Sequence, residues 1–180
     1  MPSSYFYPIP TIVQFMCSAN PKSILDIGFG FGKYGFLARE YLEIWLNRYH
    51  SSEWQIKIDG IEIFEPYITD IQRCIYNNIF IGEALTIMRA MSNETYDLII
   101  ATDILEHFEK VDGIQFLQEC KRIAKKALIS TPKNFHPQQT VFGNEHEKHK
   151  SHWTKEELLE LGAKDILPDG SSILAVFKND

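Results

Sequence analysis

Residues Ser23 to Gly35 read SILDIGFGFGKYG. The apolar run Ile24-Leu25-Asp26-Ile27 predicts a buried strand. Gly28, Gly30 and Gly32 follow at alternate positions, and a helical pattern begins behind them. Glycine tolerates positive φ, and its missing side chain lets a ligand approach the backbone. The helix behind points unpaired N–H groups and the positive end of its dipole at the same place. A strand that ends in such a loop is a site for a nucleotide-like ligand.

On the N-terminal side, residues 1–10 are aromatic and proline-rich and predict an irregular arm. Thr11 is placed to cap a short helix over 12–19, which Asn20-Pro21 stops. The segment 1–22 either covers a sheet edge or forms a lid. On the C-terminal side a long helix is expected over 33–48. Its apolar Phe36, Leu37, Tyr41, Ile44 and Trp45 follow the spacing of one buried face. A polar loop, 49–53, leads to a second strand over 55–63 with Glu62 near its end. Glu65-Pro66 opens a helix to residue 75. A short third strand, 79–81, is followed by Gly82-Glu83-Ala84 and a helix to about residue 91.

The fourth strand, 96–101, is almost continuously apolar, which suits a central parallel strand covered on both faces. Thr102-Asp103-Ile104-Leu105-Glu106-His107 leaves it, before an amphipathic helix over 113–125. A fifth strand, 127–130, ends at Thr131-Pro132, because proline cannot continue a central strand. Residues 133–152 are polar and aperiodic; loops of that length in a compact domain are functional or mobile. Thr154 and Glu157 have the spacing of a capping box for a short helix that ends at Gly162. Two last strands, 164–167 and 172–177, flank Pro168-Asp169-Gly170-Ser171 and predict an antiparallel hairpin.

Alternating strands and helices followed by a hairpin predict one α/β domain over 1–180. Its core is a doubly wound, seven-stranded, mostly parallel sheet with a C-terminal antiparallel hairpin. Ligands in such sheets bind at the carboxyl ends of the strands, where the strand order reverses.

The bulk properties narrow the partners. The 180 residues carry a net charge of −6, which argues against a broad grip on DNA or RNA. Lys121, Arg122, Lys125 and Lys126 cluster on an expected helix and read as a solvated face. Cys17, Cys74 and Cys120 lie far apart and in no metal spacing, and read as reduced, buried thiols of an intracellular protein. No secretory pattern opens the chain, and no apolar run reaches the roughly 20 residues that span a bilayer. A cytoplasmic location without membrane contact is the expectation.

Taken together, these segments resemble the class I S-adenosylmethionine-dependent methyltransferases over nearly the whole chain. LDIGFGFGKYG is similar to the first motif of that family, GIEIFEPYI to the second, IGEAL to the third, YDLIIATDILEHFEK to the fourth and LISTPKN to the fifth strand and its exit. The closing hairpin matches the antiparallel strand that sets this family apart from dinucleotide-binding relatives. In the dinucleotide pattern G-x-G-x-x-G the third glycine comes one residue later than Gly32, and no hydride-transfer apparatus is evident.

The resemblance implies a Rossmann-like methyltransferase fold and S-adenosylmethionine as cofactor. It implies that Asp26 orients the glycine loop and the ligand's ammonium, or pins the loop's own N–H groups, or both. Gly28, Gly30 and Gly32 would admit the methionine and ribose portion. Glu62, followed by Ile63, would take the ribose hydroxyls, a task suited to an ionised carboxylate. Asp59 lies at a paired point of the same strand and is not preferred. Glu83 and Ala84 would flank the adenine, although an acid there also caps a helix. Thr102 and Asp103 would complete the cofactor side.

Methyl transfer to a hydroxyl needs in-line placement and removal of a proton. The candidates are Asp103, Glu106 and His107; His107 either takes the proton or positions its neighbours. Some members of the family use an acid-x-x-Glu-His set with one further ligand to hold a divalent metal. Here the loop offers His136, His146, His149 and His152 for that role, but no tight ligand spacing, so no metal ligand is assigned. The stretch GNEHEKHKSHW, 143–153, reads either as part of an acceptor-binding loop over 133–153 or as a solvated loop anchored by Trp153. A small-molecule acceptor is expected. RNA or protein remains the alternative, as does a non-catalytic domain of the same fold.

Overall fold

The computed structural model describes residues 4–141 and 143–179. Its centre is a seven-stranded sheet in the order β3-β2-β1-β4-β5-β7-β6. The strands are β1 (Ser23–Ile27), β2 (Lys57–Glu62), β3 (Asn78–Ile81), β4 (Tyr96–Thr102), β5 (Ala124–Pro132), β6 (Asp165–Leu167) and β7 (Ser172–Lys178). The first five run parallel, and β7 pairs antiparallel with both β5 and β6. The order reverses between β1 and β4. The expected hairpin forms, and β7 is its inner strand.

Helices cover both faces: α1 (Ile9–Ala19), α2 (Lys33–Leu42), α3 (Asp70–Ile75), α4 (Ala84–Arg89), α5 (Lys110–Ile123) and α6 (Lys155–Glu160). Side chains alternate across each strand, so the apolar runs feed two cores. Leu25, Ile27, Ile99, Ala101 and Ile129 pack toward α4 and α5. Ile24, Leu98, Ile100 and Leu128 pack toward α1 and α2. This is why β4 carries no polar face.

Several local expectations are corrected. The long helix stops at Leu42 and a 3-10 turn, Ile44–Leu46, follows. Its buried face is Tyr34, Gly35, Ala38, Arg39 and Leu42. Phe36, Tyr41 and Trp45, expected inside, are 55%, 38% and 73% exposed. The cause is that polar groups on the opposite side are fully bonded. Arg39 donates to the carbonyls of Ile75 and Ile56 and to Asn77 Oδ1, and lies over the Trp54 ring. Glu43 accepts from the Gln55 and Ile56 N–H groups. Bonded in this way, a charged residue can face the core.

The helix expected over 66–75 is a 3-10 turn, Glu65–Tyr67, and then α3, which starts behind the capping box of Thr69 and Gln72. Thr11 caps nothing: α1 begins at Ile9, and Thr11 Oγ1 donates to the Pro168 carbonyl. Cys17 and Cys74 are exposed, and only Cys120 of the three is buried. Thr154 and Glu157 do form their capping box.

Candidate functional site

The strand order reverses beside the glycine loop, and a cavity of about 830 Å³ opens there. That volume suits a ligand of cofactor size. Gly28, Gly30 and Gly32 have φ of 66°, 52° and 85°, in the left-handed region that glycine alone adopts freely. Gly28 and Gly30 line the cavity, whereas Gly32 lies outside it as the N-cap of α2.

Asp26 also lies behind the loop and not on the cavity wall. Its Oδ2 accepts from the Gly35 N–H at 3.1 Å and from the Tyr76 hydroxyl at 2.6 Å. Burial pushes its carboxyl up to about 7, against those two bonds. Glu62, at the end of β2, does reach the cavity. Its Oε2 accepts from the Gly30 N–H and its Oε1 from the Phe64 N–H, each at 2.9 Å. The carboxylate is thus fixed against the glycine loop, and burial raises its proton affinity. Ile63, Glu83, Ala84 and Thr102 border the same space. Glu83 also caps α4, accepting from the Leu85 and Thr86 N–H groups.

Asp103 leaves β4 with φ of 51°, a conformation that Asp tolerates better than most residues. Its N–H donates to Ser130 Oγ at 3.0 Å, and that hydroxyl donates back to Asp103 Oδ1 at 2.8 Å. Burial raises its pKa, and Lys33 opposes the rise. Lys33 in turn donates to Ser4. This ties the N-terminal arm to the rim, and Ser4 and Tyr5 line the cavity while α1 packs on the sheet. Met1 to Ser3 of the expected arm lie outside the described residues.

Glu106 and His107 occupy a 3-10 turn behind β4, and both line the cavity. The Glu106 side chain is buried, and its Oε2 has no hydrogen-bond partner among the described residues. Burial, then the charge of Asp103, holds its carboxyl well above the usual range. His107 Nδ1 lies 3.0 Å from the Lys148 carbonyl, so that nitrogen is the donor and Nε2 keeps its lone pair. Burial lowers the pKa of its ring.

Residues 133–153, apart from Phe142, fold over this corner as an irregular loop with one 3-10 turn, Glu145–Glu147. The loop is fastened at several points. The Lys150 and Ser151 N–H groups donate to the Glu106 carbonyl, and Tyr67 Oη donates to Glu147. Trp153 is 1% exposed, and its Nε1 donates to Ser151 Oγ at 2.9 Å. His149 Nδ1 lies 2.6 Å from the His136 carbonyl. Glu106, His107 and His149 present ligand atoms that all lie within 4.8 Å of one another. Asp103 stands apart from that group, bonded to Ser130. The site thus gains His149, Lys33 and Tyr67. Only His149 carried a sequence signal, as one of several loop histidines. No described helix is long and apolar enough to cross a membrane.

No family model matches the chain, and no curated protein does. Solved structures match its fold. The PH0226 protein of Pyrococcus horikoshii has a TM-score of 0.69 at 18% identity, with 97% of this chain and 88% of that one covered. The methyltransferase domain of bacterial CtHen1-CN has a TM-score of 0.61 at 18% identity, over 96% and 98%. The N-terminal domain of EvdMO1 with S-adenosylhomocysteine bound has a TM-score of 0.65 at 11% identity, over 98% and 83%. With the strand order and the inserted antiparallel β7, these likenesses establish the Rossmann-like fold of class I S-adenosylmethionine-dependent methyltransferases.

Proposed function

We propose that the chain is an S-adenosylmethionine-dependent methyltransferase that acts on a hydroxyl of a small molecule. The observation that carries this reading is the pairing of Glu62 with the Gly30 N–H on the wall of the large cavity. Each Glu62 oxygen accepts one backbone N–H, which leaves lone pairs for a ribose diol. The glycine loop presents bare backbone to the rest of the ligand, and Asp26 holds that loop from behind. The turn at Gly82 to Ala84 borders the adenine. When bound, S-adenosylmethionine supplies an activated methyl group whose leaving group is a neutral thioether.

The acceptor enters from the side of Glu106, His107 and His149, under the loop 133–153. Those polar side chains orient its hydroxyl and weaken its hold on the proton. Net charge of −6 favours a small acceptor over a polyanion such as RNA.

The test is a titration with S-adenosylmethionine, S-adenosylhomocysteine and NAD. The expected outcome is micromolar binding of the first two and none of NAD. Transfer of labelled methyl from S-adenosylmethionine to a panel of hydroxylic small molecules and RNAs then assigns the acceptor. Failure to bind either sulfur compound would overturn the reading.

A further inference from the structure

The helix α2 and the turn behind it have two apolar faces, and the chain itself covers only one. Tyr34, Ala38 and Leu42 pack on the sheet. Leu37, Tyr41, Ile44 and Trp45 recur at the three-or-four spacing of a second buried stripe, but that stripe points outward. Tyr41 and Trp45 are exposed, Leu37 and Ile44 are half-buried, and Phe36 lies bare on the same helix. The stripe crosses from α2 into the 3-10 turn, where the Tyr41 and Trp45 rings stand 6.3 Å apart. Leu46 and Tyr49 follow, each more than half exposed. Charge is nearly absent from this face. In residues 36–49, Arg39 and Glu43 are buried and paired, and Arg48 donates to Glu43 and to the Leu42 carbonyl. Only Glu40 has no ionic partner among the described residues of that stretch. A contiguous bare apolar surface of this kind marks an interaction site.

We propose that this face is the contact between two copies of the chain, paired about a two-fold axis with α2 against α2. A whole aromatic side chain presents about 200 Å², so Phe36, Tyr41, Trp45, Leu46 and Tyr49 together leave roughly 600 Å² of side-chain surface bare. That is the upper end of what monomers expose in one patch. A standard interface buries about 800 Å² per partner, of which about 65% is apolar in homodimers. The stripe therefore supplies the apolar area that a stable dimer needs. Its composition agrees: interface cores gather Trp, Tyr and Phe and shed Lys, Glu and Asp. The charge also fits a second copy. Each chain carries −6, so two copies repel least where both are nearly neutral, and a two-fold axis sets that same patch against itself. An anionic membrane would instead need a basic rim around the aromatics, and the one unpaired charge here is acidic. None of residues 36–49 lines the cavity, so two copies pair with both cavities open, whatever those hold.

The experiment is sedimentation equilibrium of the full chain from low to high micromolar concentration, and the expected species is a dimer. Trp45→Glu changes an exposed side chain, so it should leave the far-UV circular dichroism as it is and raise the dimer dissociation constant at least about 30-fold. Val111→Glu, at a similarly exposed apolar residue on α5, should dimerise as the wild type does. Acrylamide quenching reads the same face on unaltered protein. Trp45 is the most exposed of the three tryptophans and Trp153 is buried, so quenchable emission should fall as concentration rises through the dissociation constant. A monomer at every concentration would overturn the proposal, as would a dimer that Trp45→Glu leaves intact or that forms without protecting Trp45. Binding of the monomer to phosphatidylcholine or phosphatidylserine vesicles, lost in Trp45→Glu, would overturn it in favour of a membrane contact.

Discussion

Gly35→Ala should destabilise the protein, although the same change inside most helices stabilises it. Gly35 lies in α2 and its N–H donates to Asp26. Helix propensity favours Ala by up to about 1 kcal/mol. Against this, a Cβ at position 35 would lie 2.5 Å from Cζ and Oη of Tyr76. Tyr76 is 5% exposed and stacks on Phe29, with ring centroids 4.6 Å apart, so it has little room to withdraw. Overpacking of this kind costs about 1–3 kcal/mol. Displacing Tyr76 also breaks its bond to Asp26, about 0.5–3 kcal/mol according to the charge on that carboxyl. The net loss is about 0.5–6 kcal/mol. Urea denaturation followed by circular dichroism measures it, with Gly170→Ala as control. Nothing lies within 4 Å of a Cβ at Gly170, and that change should be neutral. A Gly35→Ala midpoint equal to or above the wild type, with an unchanged slope, would refute the packing argument.

Three further outcomes follow from the same geometry. Glu62→Ala should weaken S-adenosylhomocysteine binding about 10- to 150-fold, the equivalent of about 1.5–3 kcal/mol. A folded variant with wild-type affinity would show that Glu62 is not the ribose partner. Asp26 has a folded pKa of about 7, above the unfolded value of about 4, so it contributes stability at low pH that is lost as pH rises between those values. The ceiling is roughly 4 kcal/mol. The difference in Tm between the wild type and Asp26→Asn should therefore shift against the wild type from pH 4 to pH 8, and a constant difference would contradict it. Gly113→Ala would place a Cβ 2.4 Å from Trp153 Cζ2, so it should lower the urea midpoint and speed trypsin cleavage of the loop; unchanged values of both would count against Trp153 as the loop's anchor.

The central strands were legible because both of their faces are apolar, and the glycine loop because it joins a strand to a helix with the other motifs and the closing hairpin in order behind it. The face of α2 was not. Periodicity counts Phe36 and Trp45 as core, whereas the core uses the small Gly35 and Ala38 and the bonded Arg39 and Glu43. Partners that satisfy a charge come from distant segments, here residues 54–56 and 75–77, and leave no local trace. The start of α3 was available in Thr69 and Gln72 and was hidden by the proline before it. At the site, Gly28, Gly30, Glu62, Glu106 and His107 could be found by their position at or just past the carboxyl end of a strand. His149 could not be chosen among the loop histidines, because the loop's path over the cavity is set by tertiary bonds to Glu106 and Tyr67.

The place of β7 has a consequence for how the chain reaches this state. It follows the other six strands in sequence, yet it lies between β5 and β6. During synthesis the long, apolar edge of β5 stays unpaired until residues 172–178 emerge. An open edge of that kind recruits other chains. The nascent domain is therefore most prone to aggregate in this interval, and arrest of translation just before Ser172 should make it depend most on chaperones.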